Sequence, residues 1–404
     1  MERPAQPEKS RPTEHIRTSS FNNPSQAKKD LPILLKKGLP PCPRAKPVAG
    51  YSDWYSLKST SSLDFCPECI SHMDRTVYRL NFRPSPPRSS EKETFCALGG
   101  DPWVRLAWQL TLARQRPDIK LLEGIAAVQD AGDCPGESSL HHHHRSAATY
   151  GVKDRDGYYI PHFSVCRADV DKLELLMPTL YGLFVPLPNR TSTSTTQPRK
   201  CALRTTSTRF TPYITHLSKL HDTTRRQQQS TPTDPTPFTD FVQRKARLQE
   251  CPKDAQFGPN VLWHHHPHLK EFTICEDCFD SVVEPELARG KSLLVKGFPR
   301  AKGVVYSTSA AEEKGGVVVG RSCQLYGAYM RGIFAKAVEE ENFELLAKWA
   351  RKRREAEVGL QEGYRRLGER LRRLEGVGGE EAGEERRRLQ RKLREIREDW
   401  ATWE

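Results

Sequence analysis

The chain has 404 residues, a formal charge of +13, 30 prolines and 36% hydrophobic residues, with a mean hydropathy of -0.70. These values predict two or three folded regions separated by irregular segments, and they exclude a chain that is core-forming throughout. No run of about 18 to 20 apolar residues occurs and the first residues lack the apolar centre of a secretory signal, so the expectation is an intracellular protein, cytoplasmic or nuclear, with no membrane partner.

In chain order, residues 1–40 read as a disordered basic N-terminus. The first cysteine set lies in 41–130: Cys42 in "PCPRAKPVAGYSDWYSL", Cys66 and Cys69 in "DFCPEC", and Cys96 in "FCALGGDPWVRLAW", a C-P-x22-C-x2-C-x26-C pattern. The second lies in 131–222, with Cys134 in "DCPGESS", Cys166 in "FSVCRADV" and Cys201 in "KCALRTTSTRF"; Asp169 stands where the second cysteine of the pair would be. Residues 186–200 and 223–237 read as linker by composition, and 223–250 is expected to be a linker with a short helix. The third set lies in 251–338: Cys251, then Cys275 and Cys278 in "FTICEDCF", then Cys323, a C-P-x22-C-x2-C-x44-C pattern. A tryptophan, Trp54 or Trp263, holds the same offset in the first and third sets.

The three sets use all eleven cysteines. With no export signal, a disulfide framework is disfavoured and metal binding is the default. Four soft thiolates suit tetrahedral zinc, so the expected cofactor is structural Zn2+, two or three ions, held by Cys42, Cys66, Cys69 and Cys96, by Cys251, Cys275, Cys278 and Cys323, and by Cys134, Cys166 and Cys201. The middle site has either decayed or takes a fourth ligand from Asp169, His162 or His141 to His144. Joining Cys66, Cys69 and Cys96 to Cys134 instead would strand Cys42. The histidines of "WHHHPHL", His264, His265, His266 and His268, are expected to be solvated loop residues. Each closing cysteine is followed by an arginine, Arg105, Arg209 or Arg331, on a helix expected to pack on its site; the arginine could grip an acidic partner, with an intramodular ion pair or a solvated helix face the plainer role.

Residues 339–404 form a charged helical segment. Leu360, Tyr364, Leu367, Leu371 and Leu374, and then Leu389, Leu393, Ile396, Trp400 and Trp403, step by four and three around the "GVGG" at 376–379. Two short a/d seams predict either an intrachain hairpin or a coiled coil through which the chain forms a homo-oligomer.

The stretches "PCPRAKPVAGYSDWYSL", "PWVRLAWQLTLARQRPD", "EFTICEDCFDSVVEP" and "CQLYGAYMRGIF" resemble a family of uncharacterised cysteine-rich proteins of filamentous ascomycete fungi, over roughly residues 41–350. The resemblance implies no chemistry. The sequence departs from that family at "CRADV", where a further cysteine is usual, and in its charged tail.

The expected fold is α+β: three tandem cysteine-rich zinc-binding repeats followed by the C-terminal helices. Four-thiolate sites leave no open metal position, and no phosphate-cradling loop or nucleophile elbow is present, so no enzyme is expected. A protein-interaction adaptor with a protein partner is the first functional expectation. The alternative is nucleic acid, bound by a basic module face near "LARQRPDIK".

Overall fold

The computed structural model describes residues 41–74, 76–87, 89, 91–138, 140, 148–188, 200–227, 234–255, 261–305, 320–376 and 379–403. The expectations for the N-terminal segment 1–40, for His141 to His144 and for most of the 186–200 linker lie outside the described residues. The fold is mixed helix and short strand, and the chain divides into two compact units. No helix among the described residues is long and apolar enough to cross a membrane.

The first unit comprises residues up to Cys134 together with Ala168–Tyr181 and Leu217–Thr233. Strand β1 (Tyr55–Leu57) pairs antiparallel with β2 (Phe82–Pro84), and Tyr55 also bridges to Phe65, just ahead of the helical turn α1 (Pro67–Ser71). Helix α2 (Pro102–Ala113) starts where Asp101 accepts the N–H groups of Trp103 and Val104, with Pro102 in the first turn where its missing N–H costs nothing. Its buried face, Trp103, Val104, Leu106, Ala107 and Leu110, faces the core with Ile125 of α3 (Lys120–Ala131). The rest of the unit is drawn from α4 (Arg167–Leu176) from Ala168 on and from α5 (Phe210–Arg226) from Leu217 on.

The second unit comprises Pro135–Arg167, Gly182–His216 and Asp234–Glu404. Strand β3 (Thr149–Gly151) lies between β4 (Val165–Cys166) and β5 (Val185–Pro186), both antiparallel. Phe163, Phe184, Tyr213 and Phe238 pack ring on ring around that sheet, Phe238 coming from α6 (Thr236–Ala246). A second sheet has β6 (Leu262–His266) between β7 (Leu269–Ile274) and β8 (Gly303–Val304). Its core, Trp263, Phe272, Ile274, Phe298 and Val305, continues into α7 (Ala328–Glu339) through Met330 and Phe334 and into α8 (Phe343–Arg373) through Leu346, Ala347 and Ala350.

The histidine tract differs from expectation at His264 and His266, while His268 is exposed in the turn after β6. His264 and His266 lie in β6 at 5% and 8% exposure, because aromatic rings from outside the sheet cover them. His264 stacks on Phe279, and His266 packs edge-on to Phe298 and tilts against Phe343. Burial pushes both imidazoles below their usual range.

Helix α9 (Glu380–Ala401) follows the glycines of the 376–379 stretch, where Gly376 and Gly379 take φ of 84° and 113°, values that side chains disfavour. Arg386 of α9 donates to the carbonyl of Leu374, Arg397 to the Tyr364 hydroxyl, and a Cβ on Gly363 would meet Ile396 at 2.9 Å. Trp403 packs edge-on to Trp349 and Tyr329, while Leu389 and Trp400 are buried.

Candidate metal centres

In the first unit Cys42, Cys66, Cys69 and Cys96 come together, every ligand atom within 4.8 Å of the others. The sulfurs of Cys42 and Cys66 are 3.6 Å apart. A zinc tetrahedron with Zn–S bonds of about 2.3 Å has edges of about 3.8 Å, so the spacing suits a four-thiolate ion. The approach of Cys42 depends on Gly99: a Cβ there would lie 2.6 Å from both Cβ and Sγ of Cys42. Arg44 anchors the leading Cys-Pro segment. Its guanidinium holds Asp53 in a two-pronged ion pair at 2.5 and 2.9 Å, reaches Glu68 at 3.7 Å, and lies over the Tyr51 and Trp54 rings.

In the second unit Cys251, Cys275, Cys278 and Cys323 form an equivalent group, with no histidine in it. The N–H groups of Lys253 and Cys278 donate to the sulfurs of Cys251 and Cys275 at 3.4 Å each. Arg331 donates to Leu325 O and brings its other nitrogen 3.7 Å from Cys278 Sγ. A four-thiolate zinc carries a net charge of two minus, and such donors offset it. Of the middle set, Cys166 and Cys201 meet within the second unit, the Cys166 N–H lying 3.3 Å from Cys201 Sγ, while Cys134 and Asp169 belong to the first unit. His162 joins none of the candidate metal-holding groups.

None of the eleven cysteines is joined in a disulfide. Sulfurs this close share protons when no cation replaces them. Hydrogen bonding with Cys66 and then Cys69 holds Cys96 down to about 4, while hydrogen bonding with Cys66 and then Cys96 pushes Cys69 up. Buried and half-buried, unbridged thiols with N–H groups aimed at them are a donor set that can hold a metal ion.

The same backbone hydrogen bonds recur around the sets. The N–H of the first cysteine of the pair donates to the closing sulfur: Cys66 to Cys96 at 3.4 Å, Cys166 to Cys201 at 3.3 Å, Cys275 to Cys323 at 3.5 Å. The N–H just past the closing cysteine returns to the carbonyl two residues before the pair: Ala97 to Asp64 at 2.7 Å, Ala202 to Ser164 and Gln324 to Thr273 at 2.8 Å each. In the first and third sets the closing cysteine's own N–H bonds the carbonyl two past the leading cysteine, Cys96 to Arg44 and Cys323 to Lys253.

Sequence reasoning missed a buried charge network beside the third set. Asp277, inside the Cys275–Cys278 pair, accepts both oxygens' worth of bonding from Arg209 Nε at 3.1 Å, from Lys245 Nζ at 2.9 Å and from the Cys251 N–H at 3.2 Å. Lys245 also pairs with Asp280 at 2.7 Å. Burial alone would push the Asp277 carboxyl up, but Arg209 and then Lys245 outweigh it and hold the carboxyl below its usual range. So Arg209 grips the pair of the next set, not its own. The available signal was the acid at the second spacer position of both pairs, Glu68 and Asp277.

Compared with protein-family models, curated proteins and solved structures, the chain matches none.

Proposed function

We propose that this is a non-enzymatic protein built from three copies of one module, each organised by a structural Zn2+, with two or three ions per chain. The recurrence of one hydrogen bond, from the first cysteine of the pair to the closing sulfur, in all three sets is the observation that carries the reading. Each set also sits with a small antiparallel sheet whose first strand is central: β1 with β2 and the Phe65 bridge, β3 between β4 and β5, β6 between β7 and β8. The C-terminal helices act as an intrachain hairpin, and modules and hairpin together offer docking surfaces for protein partners, an adaptor. Support for the hairpin comes from the contacts of Arg386, Arg397 and Ile396 back along α8.

Metal analysis of the full chain, purified under reducing conditions, is expected to return at least two zinc ions. Cys275→Ser should remove one and cost the second unit its cooperative unfolding transition, since metal-binding energy in such sites is largely folding energy. Protein free of zinc, or one keeping its transition in strong chelator, refutes the reading. The adaptor role predicts a stoichiometric protein companion in reducing extracts, lost when either four-cysteine set is disrupted.

A further inference from the structure

The C-terminal segment from 339 on is charge-balanced as a whole, but its charges are sorted along the helices. Residues 364–374 of α8 and 385–397 of α9 hold eleven arginines and one lysine against three glutamates, Glu369, Glu385 and Glu395. The contacts of Arg386 with Leu374 and of Arg397 with Tyr364 bring these two stretches side by side in one unit. We infer that this arginine belt is a binding surface for the phosphate backbone of nucleic acid.

Several of the cations are already engaged. Arg365 pairs with Glu369, Arg366 with Glu362, and Arg370 and Arg388 with Glu385. Arg372, Arg373, Arg387, Arg391, Lys392 and Arg394 are exposed and make no ion pair among the described residues. Along α9, Arg387, Arg391 and Arg394 fall at i, i+4 and i+7, one stripe about 10 Å long. The 386–394 stretch "RRRLQRKLR" contains no acid and is bounded by Glu385, already paired with Arg370 and Arg388, and by Glu395; the carboxylates of Glu380, Glu381 and Glu384 lie nearer the turn and those of Glu398 and Asp399 nearer the chain end.

Three features favour nucleic acid over other anions. The belt is almost entirely arginine, whose planar fork suits phosphate oxygens. The opposite face of α9 is committed inward: Leu389 and Trp400 are buried, and Leu393 and Ile396 half-buried, so it has no apolar surface to insert into a lipid headgroup layer. The free cations are spread as a stripe, which matches a repeating charged backbone better than a single acidic side chain. With Gln390 as the one neutral polar residue of the stretch, the surface positions a backbone without reading bases.

The test uses the full chain and a short labelled DNA duplex of mixed sequence, read by fluorescence anisotropy. Engagement of about four phosphates predicts a loss of about a hundredfold in affinity between about 50 and 200 mM salt. The variant R387Q/R391Q/R394Q, in which only exposed side chains change, should keep its helical circular dichroism, bind at least about tenfold more weakly, and lower the salt slope by about two to three. The control K46Q/K58Q/R83Q removes the same charge from exposed positions elsewhere and should bind like the parent. Equal weakening by both variants, no weakening by the first, or a preference for anionic phospholipid vesicles or polyglutamate over the duplex overturns the inference.

Discussion

Removing the Asp277 carboxylate separates a buried charge network from ordinary surface ion pairing. Asp277 is 3% exposed and the Lys245 side chain 1%, so both charges were taken out of water, and breaking such a pair costs about 3 to 5 kcal/mol because a desolvated charge is left behind. The geometry places Asp277→Ala at the lower end, about 3 kcal/mol: Lys245 keeps Asp280 at 2.7 Å, and Arg209 keeps the carbonyls of Lys245 and Leu248 at 2.8 and 3.0 Å. Lys245→Met should cost less, about 2 kcal/mol, since Asp277 retains Arg209 and the Cys251 N–H. The double variant removes one charge of each sign and should fall short of the sum by about 2 kcal/mol. The assay is equilibrium urea unfolding of all four proteins, with zinc loss to a chromophoric chelator followed in parallel, because Asp277 lies between Cys275 and Cys278. A single Asp277→Ala within about 0.5 kcal/mol of the parent, or strictly additive singles, refutes the reasoning.

Gly99→Ala should displace Cys42 and empty only the first-unit site, because a Cβ would sit 2.6 Å from Cys42 Sγ and 3.0 Å from the Ala45 backbone; metal counting should show one ion fewer. His221 is buried, accepting from Arg114 at 3.2 Å and hydrogen-bonded to Thr179, and burial, then Arg114 and Arg225, push its imidazole down to about 4. Neutral His221 therefore contributes fully above the unfolded value of about 6.5, and up to about 3 kcal/mol is lost as pH falls from there through about 4. His221→Gln should flatten that part of the stability profile relative to the parent, as measured by urea midpoints across pH. Leu389→Asp buries an unpaired charge at a 1% exposed position and should lower helicity without changing mass in solution; a fall from dimer to monomer would instead establish an intermolecular coil.

What could be read in the sequence was what one residue type and a fixed short spacing encode. Cys66 and Cys69, or Cys275 and Cys278, are brought together by two-residue spacers, so grouping needed only arithmetic. The strands were illegible because most run two or three residues, too short for an alternating pattern, and because their order follows from backbone pairing such as Tyr150 with Val165 that leaves no mark on side-chain chemistry. The "WHHH" tract misled by polarity: His264 and His266 are buried through ring stacking, which composition does not report. Lys245 and Asp277 were hidden for the opposite reason, since a charged residue 32 positions from its partner looks like any solvated one.

The unequal spacing of the sets has a physical account under the three-module proposal. From the pair to the closing cysteine the chain runs 26 residues in the first set and 44 in the third, yet the N–H past the closing cysteine meets the same carbonyl in both, within 0.1 Å. Loop-closure entropy rises only logarithmically, so lengthening that connection costs well under about 1 kcal/mol. The distance from the leading Cys-Pro to the pair is 22 residues in both, and it spans Trp54 or Trp263, each a buried core residue. The segment that places a core tryptophan and the ligands at its two ends is fixed in length, whereas the connection after the pair supplies core residues such as Phe82 in one set and Phe298 in the other and still differs in length. Between the first and third sets the extra residues therefore fall after the pair, whereas the second set, with no tryptophan to place, carries 30 residues between its Cys-Pro and Cys166.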